Sequence, residues 1–462
     1  MTHYDLVIIG TGSGNSLVTP DFNDKRVAVI EKGLFGGTCL NVGCIPTKMF
    51  VYAAEVATAI RGASRYGVDA SLDQVRWADI RDRVFGRIDP IAAGGKNYRV
   101  SGGDAQNTTA YLGTATFTGP RELSVEVDGV TEQVTGDQVV IATGSYATVP
   151  PVVEASGVAY ETSDTVMRLD ALPASMVILG GGFIATEFAH VFSSLGVEVT
   201  IVNRGAQLLR KEDTEISEAF TQIAQDTWDV RLNRTVSTLA SDDRGVHLTL
   251  DDGTTADGEV LLVATGRAPA TADLGLDLAG VERHDDGRVR VDEFGRTNAE
   301  GVWSLGDASN AYQLKHVANA EARAIAHNLT HPDDLRELNH RHVPAGVFTH
   351  PQIASVGMTE EQAREAGHDV TVKTQAYGDT AYGWAMEDTT SLCKLVADRA
   401  TGQLLGAHIM GPNATTVIQP VIQAMNFGLS AADMARGQYW IHPAMIEVLE
   451  NALLGLDVPH GE

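Results

Sequence analysis

Twice in 462 residues a near-continuous apolar run ends abruptly in glycines. Tyr4-Asp5-Leu6-Val7-Ile8-Ile9 leads into Gly10-Thr11-Gly12-Ser13-Gly14-Asn15-Ser16, and Met176-Val177-Ile178-Leu179 leads into Gly180-Gly181-Gly182-Phe183-Ile184-Ala185. Runs of this kind suit parallel strands buried on both faces, which points to an α/β fold. Behind the first, Arg26-Val27-Ala28-Val29-Ile30 reads as a second strand ending at Glu31, 21 positions beyond Gly10. Strand, glycine turn, helix, strand and acid make up a dinucleotide fingerprint: the glycines admit a pyrophosphate and the acid binds ribose hydroxyls. Asn15 stands where the third glycine belongs, and Pro20 interrupts the connecting helix, so close packing there must be managed another way.

In the second unit Ala185 takes the third-glycine position, the helix stops at Gly196, and Glu198-Val199-Thr200-Ile201-Val202 forms the next strand. That strand ends in Asn203-Arg204 instead of an acid. An acid would hold a ribose 2′-hydroxyl and repel a 2′-phosphate, whereas Arg204, with Arg210 and Lys211, favours the phosphate. NADPH is therefore expected over NADH; the other reading leaves these cations on a solvated surface. Val139-Val140-Ile141 followed by Ala142-Thr143-Gly144 recurs as Leu261-Leu262-Val263 followed by Ala264-Thr265-Gly266. The chain thus holds two nucleotide folds, one inserted in the other, with Pro150-Pro151 at a boundary.

Two of the three cysteines lie in Gly36-Gly37-Thr38-Cys39-Leu40-Asn41-Val42-Gly43-Cys44-Ile45-Pro46-Thr47-Lys48. Thiols this close can pass two electrons by opening and closing a disulfide. On an ideal helix, Cα atoms five positions apart are about 8.7 Å from each other, and a bridge needs less than about 7 Å. The segment is expected to begin as a turn and become helical near Cys44. Gly36-Gly37-Thr38 offers N–H groups that would lower a thiol pKa. Spacing alone equally allows two inert, buried thiols.

Glu187 shares a helix face with Ile184, Phe188 and Val191. A carboxylate there needs a partner; Lys48 is the candidate, and escape to solvent is the alternative. Further on, a strand through Val302 ends in Gly306-Asp307, a weak signal for a polyol-binding acid, and Leu314-Lys315-His316 opens a helix. From about Arg341 the pattern becomes α+β, with Cys393 in a strand as a buried thiol. Near the end, Pro443 suits a first helical position, placing His442 at a helix entrance with Glu447 able to hold its ring.

A formal charge of −26 argues against nucleic-acid and anionic-membrane partners. No apolar run is long enough to span a bilayer, and the start of the chain lacks a signal-peptide pattern. Three cysteines in this length suit a reducing compartment, taken as the cytoplasm.

Together these motifs resemble the flavin-dependent pyridine nucleotide–disulfide reductases, along the whole chain and in order. The resemblance implies two Rossmann-like nucleotide-binding domains, the second inserted in the first, plus a C-terminal α+β dimerisation domain. The implied limits are 1–146 for FAD, 147–267 for NADPH, 268–340 for the central return segment and 341–462 for the dimer interface. FAD would be held by Gly10, Gly12, Ser13, Gly14, Glu31, Lys32, Gly37, Thr38, Lys48, Thr114, Ala115, Ala142, Thr143, Gly144, Gly306, Asp307, Leu314, Lys315 and His316. NADPH would be held by Gly180, Gly182, Phe183, Ile184, Glu187, Asn203, Arg204, Arg210 and Gly266; no metal is implied.

The implied electron path runs from NADPH through FAD to a Cys39–Cys44 bridge. Cys44 would keep a thiolate against the flavin, and Lys48, paired with Glu187, would tune the ring. Cys39 would attack a small-molecule disulfide, and His442, oriented by Glu447 and supplied by the partner of a homodimer, would protonate the departing thiol. Within the family, Arg61–Gly67, Phe85–Ala92, Tyr377–Asp388 and Arg436–Pro443 are most similar to the branch acting on mycothiol disulfide. Dihydrolipoamide dehydrogenases would carry an acid in place of Asn203-Arg204, mercuric reductases a cysteine pair after Glu447. A glutathione-type reductase fits the coenzyme reading equally, and a non-catalytic nucleotide-binding flavoprotein is the alternative from another class.

Overall fold

The computed structural model describes residues 1–101 and 107–459. Its first sheet is built on β1 (Thr2–Ile9), paired in parallel with β2 (Val27–Ile30) on one side and β6 (Val130–Ile141) on the other. Adding β3 (Thr108–Tyr111), β4 (Thr114–Gly119) and β5 (Glu122–Val127) gives the order β3-β2-β1-β6-β5-β4. The parallel strands Leu6–Ile9 and Val27–Ile30 are buried on both faces, as their apolar runs require.

Between β1 and β3 the chain forms a 3-10 turn at Ser13–Leu17, then α1 (Gly37–Asn41), α2 (Cys44–Gly62) and α3 (Trp77–Ser101). The short 3-10 turn, ahead of Pro20, replaces a full crossover helix, in line with the expected interruption.

β7 (Ser145–Ala147) and α4 (Pro151–Ser156) lead into a second parallel sheet. Here β8 (Ser175–Leu179), α5 (Phe183–Ser194), β9 (Glu198–Asn203), α6 (Thr214–Thr227) and β10 (Asp229–Leu232) follow in turn. Next come the antiparallel β11 (Val236–Asp242), β12 (Gly245–Leu250) and β13 (Thr255–Gly258). β14 (Val260–Val263) completes the order β10-β9-β8-β14, and β15 (Arg267–Pro269) pairs with β7.

The chain then returns to the first sheet: β16 (Val302–Ser304) pairs in parallel with β6, and α7 (Lys315–Thr330) follows. The second sheet thus lies in sequence between strands of the first. Aromatic packing joins α2, α3 and α5: the Phe50 and Trp77 rings stack at 5.1 Å, and Trp77 meets Phe192 at 5.7 Å.

The last unit is an antiparallel sheet of β17 (Ala345–Val347), β18 (Gln352–Gly357), β19 (Val370–Ala376), β20 (Leu392–Asp398) and β21 (Leu404–Gly411), ordered β17-β18-β21-β20-β19. Around it lie α8 (Glu360–Glu365), α9 (Ala381–Met386), α10 (Ala414–Val417), α11 (Gln419–Phe427), α12 (Ala431–Arg436) and α13 (Glu447–Leu454). Cys393 is fully buried in β20, where burial pushes its thiol up to about 12.

Candidate active site

The two Ala-Thr-Gly turns have the same job. A Cβ on Gly10 would stand 2.3 Å from the Ala142 carbonyl oxygen, and one on Gly180 would stand 2.3 Å from that of Ala264. Each glycine turn therefore rests bare on the neighbouring strand end. The third-glycine duty in the first turn falls to Gly14, whose Cβ would meet the Ala142 Cβ at 2.7 Å and Ile8 Cγ2 at 3.1 Å. That frees Asn15, whose side-chain and backbone oxygens both accept from the buried Arg99, at 2.8 and 3.0 Å.

The same turn abuts the cysteine segment, because a Cβ on Gly37 would lie 2.6 Å from Gly12 Cα. Around this side-chain-free contact, Glu31 accepts from the Thr11 N–H and hydroxyl at 2.9 and 2.7 Å and from the Gly33 N–H at 2.8 Å. Lys315, the first residue of α7, donates to Ser13 Oγ at 3.1 Å. The Thr143 hydroxyl and Asn41 Oδ1 are buried without a partner among the described residues. A bare backbone cleft, a cation and unspent polar groups fit a flavin dinucleotide. Asp307 accepts from Ser145 Oγ at 2.7 Å beside Gly144, while Ala115 packs into the core and Thr114, Lys32, Thr38 and His316 are exposed.

Cys39 lies on α1 and Cys44 opens α2, with the helix broken at Val42-Gly43. Helix thus begins before Cys39, earlier than expected, and the break between the cysteines brings their sulfurs together. Both are free thiols joined by a hydrogen bond. The Cys44 thiol, then the Lys315 charge, and last the backbone N–H groups of Cys44 and Ile45 hold the Cys39 pKa down to about 7 against burial. Cys44, which gives up its hydrogen bond, is raised, with partial desolvation adding to the effect although the residue is exposed at the surface. The acidifying N–H groups belong to the first turn of α2, since α1 has a single turn. The expected source, Gly36-Gly37-Thr38, is not the one that acts, and the thiol held down is Cys39.

Lys48 and Glu187 do not form the expected ion pair. Lys48 Nζ pairs with Glu55 at 3.2 Å, seven residues on along the same face of α2, and lies over the Phe348 ring at 4.5 Å. Glu187 is neither paired nor solvated: it is buried and accepts the Phe348 N–H at 2.9 Å. Burial raises its pKa to about 7, with Lys48 opposing only weakly. Periodicity along α2 would have found Glu55; nothing in the sequence marks Phe348.

At the second turn, Gly182 caps α5 and Phe183 is exposed at its first position. Asn203 turns inward, donating to the Gly205 and Gln207 carbonyls at 3.1 and 2.9 Å, so it shapes the loop rather than facing solvent. Arg204, Arg210 and Lys211 are exposed and make no ion pair or side-chain hydrogen bond among the described residues.

In the C-terminal unit, His442 Nδ1 lies 2.6 Å from Glu447 Oε1, and Glu447 Oε2 accepts the Ala444 N–H at 3.1 Å. The helix begins at Glu447 and not at Pro443. The residues from Pro443 to Ile446 form a turn that folds the imidazole back onto the carboxylate at the helix start, where a negative charge is favoured. No hydrogen bond or ion pair among the described residues joins His442 to either thiol.

Residues 4–323 match the pyridine nucleotide-disulphide oxidoreductase family, and residues 343–453 match its dimerisation domain. The chain belongs to the pyridine nucleotide-disulphide oxidoreductases. It is an NADPH-dependent flavoprotein disulfide reductase, with FAD and NADPH as its cofactors. It is 57% identical to the mycothione reductase of Mycobacterium tuberculosis, over 99% of this chain and all of that one. It is 32% identical to the dihydrolipoyl dehydrogenase of Corynebacterium glutamicum, covering 98% of each. Among solved structures, the Cu(II) complex of the HOCl-induced flavoprotein disulfide reductase RclA from Escherichia coli superposes with a TM-score of 0.86 at 29% identity, covering 98% of this chain and 99% of that one. No helix among the described residues is long and apolar enough to cross a membrane.

Two further residues of this oxidoreductase escaped the sequence reading. Glu321, buried on α7, accepts the Gly306 N–H at 2.7 Å and holds Asn310 and His340, fixing the Gly306-Asp307 turn. Arg267 donates to Ser145 Oγ and the Ser145 carbonyl, at 2.9 and 2.8 Å, behind the same turn.

Proposed function

We propose that this protein uses NADPH to reduce mycothiol disulfide to mycothiol in the cytoplasm, as a homodimer. The observation that carries the reading is the Cys39 sulfur, held at the start of α2 by the N–H groups of Cys44 and Ile45 with a second thiol donating to it. In this reading residues 1–146 and 268–340 hold FAD, 147–267 hold NADPH, and 341–462 pair two subunits. FAD, when bound, accepts hydride from the nicotinamide and delivers two electrons to sulfur. Gly10, Gly12, Gly14 and Gly37 leave room for its pyrophosphate, and Lys315 supplies a charge beside it.

The Cys39 thiolate attacks one sulfur of the substrate, forming a mixed disulfide and expelling one thiolate, which His442 of the partner subunit protonates. Cys44, deprotonated in its turn, attacks the Cys39 sulfur, releasing the second thiol and closing a Cys39–Cys44 disulfide that the next two electrons reopen. Glu447 keeps the His442 Nδ1 proton in place, leaving Nε2 to give and take. Arg204 and Arg210, exposed and without a side-chain partner among the described residues, take the 2′-phosphate of NADPH.

Support for mycothiol as the thiol is the 57% identity to the mycothione reductases along the whole chain, against 32% for dihydrolipoyl dehydrogenases. The test is a comparison of initial rates with the disulfides of mycothiol, glutathione and lipoamide under NADPH. A kcat/KM at least about a hundredfold higher for mycothiol disulfide is expected; comparable values would remove the substrate assignment.

A further inference from the structure

The loop that carries Arg204, Arg210 and Lys211 is held at three points. Asn203 closes its start through the Gly205 and Gln207 carbonyls. In its middle the Leu209 N–H reaches the Gly181 carbonyl at 2.7 Å. α6 grips the same stretch, Ser217 Oγ donating to the Leu209 carbonyl at 2.7 Å and Thr221 Oγ1 accepting the Leu208 N–H at 3.0 Å. The loop ends at Asp213, which caps α6 by accepting the Glu215 N–H at 3.1 Å.

That third point is held by another unit of the protein. Lys394 of β20 places its Nζ 2.9 Å from Asp213, 2.9 Å from Glu360 at the head of α8 and 3.4 Å from Glu215. The Glu360 N–H also donates to Asp213, at 3.2 Å. Lys394 and Asp213 are both buried. One lysine therefore faces three carboxylates, of which Glu360 is shared with Arg364 at 2.8 Å and Glu215 with the Thr374 hydroxyl at 3.0 Å.

We propose that Lys394 is a positioning residue for coenzyme choice, acting from the C-terminal unit on the loop that takes the 2′-phosphate. This rests on the assignment of Arg204 and Arg210 to that phosphate. Two effects favour NADPH. Arg210 lies three residues before Asp213, so the lysine that anchors the start of α6 also anchors Arg210. Lys394 also neutralises Asp213, buried too deeply for salt to screen, and the half-buried Glu360 and Glu215 beside it. Without it they would draw in Arg210 and Lys211, the adjacent cations that have no side-chain partner among the described residues. A coenzyme without the phosphate needs neither cation and is indifferent to the change.

The test is Lys394→Met in the full-length, FAD-loaded dimer, read as the rate of flavin reduction against NADPH and NADH concentration. The apparent Kd for NADPH should rise about tenfold, or 1.4 kcal/mol, with the limiting rate and the NADH Kd held within about twofold. Lys394→Arg should restore NADPH binding. Should Lys394→Met fail to accumulate, Lys394→Met/Asp213→Asn keeps a capping side chain without a buried unpaired charge, and a smaller but still preferential loss of NADPH is expected from the lost anchor. Equal weakening of both coenzymes, or no change in either, overturns the proposal. Arg204→Ala measured in parallel separates the two readings: if it weakens both coenzymes alike, the phosphate assignment itself fails. If Arg204→Ala discriminates and Lys394→Met does not, only the role of Lys394 is lost.

Discussion

The Cys44 thiol donates to the Cys39 sulfur, and this makes Cys39 the acid of the pair. Alkylation of the reduced protein by iodoacetamide should modify Cys39 first, with a rate that rises through a midpoint near 7. Lys315→Met should move that midpoint upward, since the lysine charge favours the thiolate. A wild-type midpoint near the ordinary 9.0 would contradict the assignment. Cys39→Ser should abolish disulfide reduction while NADPH still bleaches the flavin; loss of both would show that the two steps share the residue.

His442 and Glu447 form a unit whose free Nε2 faces outward. His442→Ala should slow turnover by about 10²–10⁴-fold, and Glu447→Gln by about tenfold or more, with flavin reduction by NADPH unchanged. The partner-subunit assignment has its own test. A mixed dimer of Cys39→Ser and His442→Ala chains regains one complete site if the histidine crosses the interface, so random mixing should restore about a quarter of wild-type activity. If each histidine serves its own subunit, mixing restores nothing.

If Arg204 takes the 2′-phosphate as proposed, Arg204→Ala removes a charged hydrogen bond to a group that only NADPH has. Such bonds contribute about 1.5–3 kcal/mol, so NADPH binding should weaken roughly 10- to 100-fold while NADH binding barely moves. Equal effects on the two coenzymes would return these cations to the solvated surface.

Glu187 carries a pH signature of opposite sign to that of an ordinary surface carboxylate. Its folded pKa, about 7, stands above the ordinary 4.5 because burial disfavours the charge. Between those values the folded protein binds more protons than the unfolded chain, so stability falls as pH rises through this window. Glu187→Gln can still accept the Phe348 N–H and should raise Tm at pH 8, by the equivalent of up to about 3 kcal/mol, and have little effect near pH 4.5. A Tm gain equal at both pH values would show that Glu187 is not held as described.

Strand-and-turn units were legible because they are local. Buried strands must read as apolar runs, and a glycine turn resting on a carbonyl admits no side chain, which is why Ala142-Thr143-Gly144 and Ala264-Thr265-Gly266 repeat. The cysteine pair was legible for the same reason. What was not legible depended on groups far apart in sequence. Glu187 meets a backbone N–H from residue 348 rather than Lys48, and that N–H has no residue signature. Glu321 and Lys394 each satisfy partners more than ten residues away with side chains that, in sequence, look like ordinary helix and strand charges. The thiol pKa order turned on which of the two sulfurs accepts the other's hydrogen bond, which no residue pattern records.

Asn15 at the third-glycine position makes the first dinucleotide turn a test of what that glycine is for. If the requirement is close packing against the strand behind, it has moved to Gly14, where an added Cβ would meet Ala142 Cβ at 2.7 Å and Ile8 Cγ2 at 3.1 Å. Neither atom can retreat far in a core buried on both sides, so Gly14→Ala should cost about 1–3 kcal/mol and lower FAD retention on gel filtration. Asn15→Ala adds no bulk and removes only the side-chain bond from Arg99, so it should lower Tm less and keep the flavin. If Asn15→Ala sheds FAD while Gly14→Ala keeps it, the packing duty has not moved, and the Arg99–Asn15 contact is what shapes the turn.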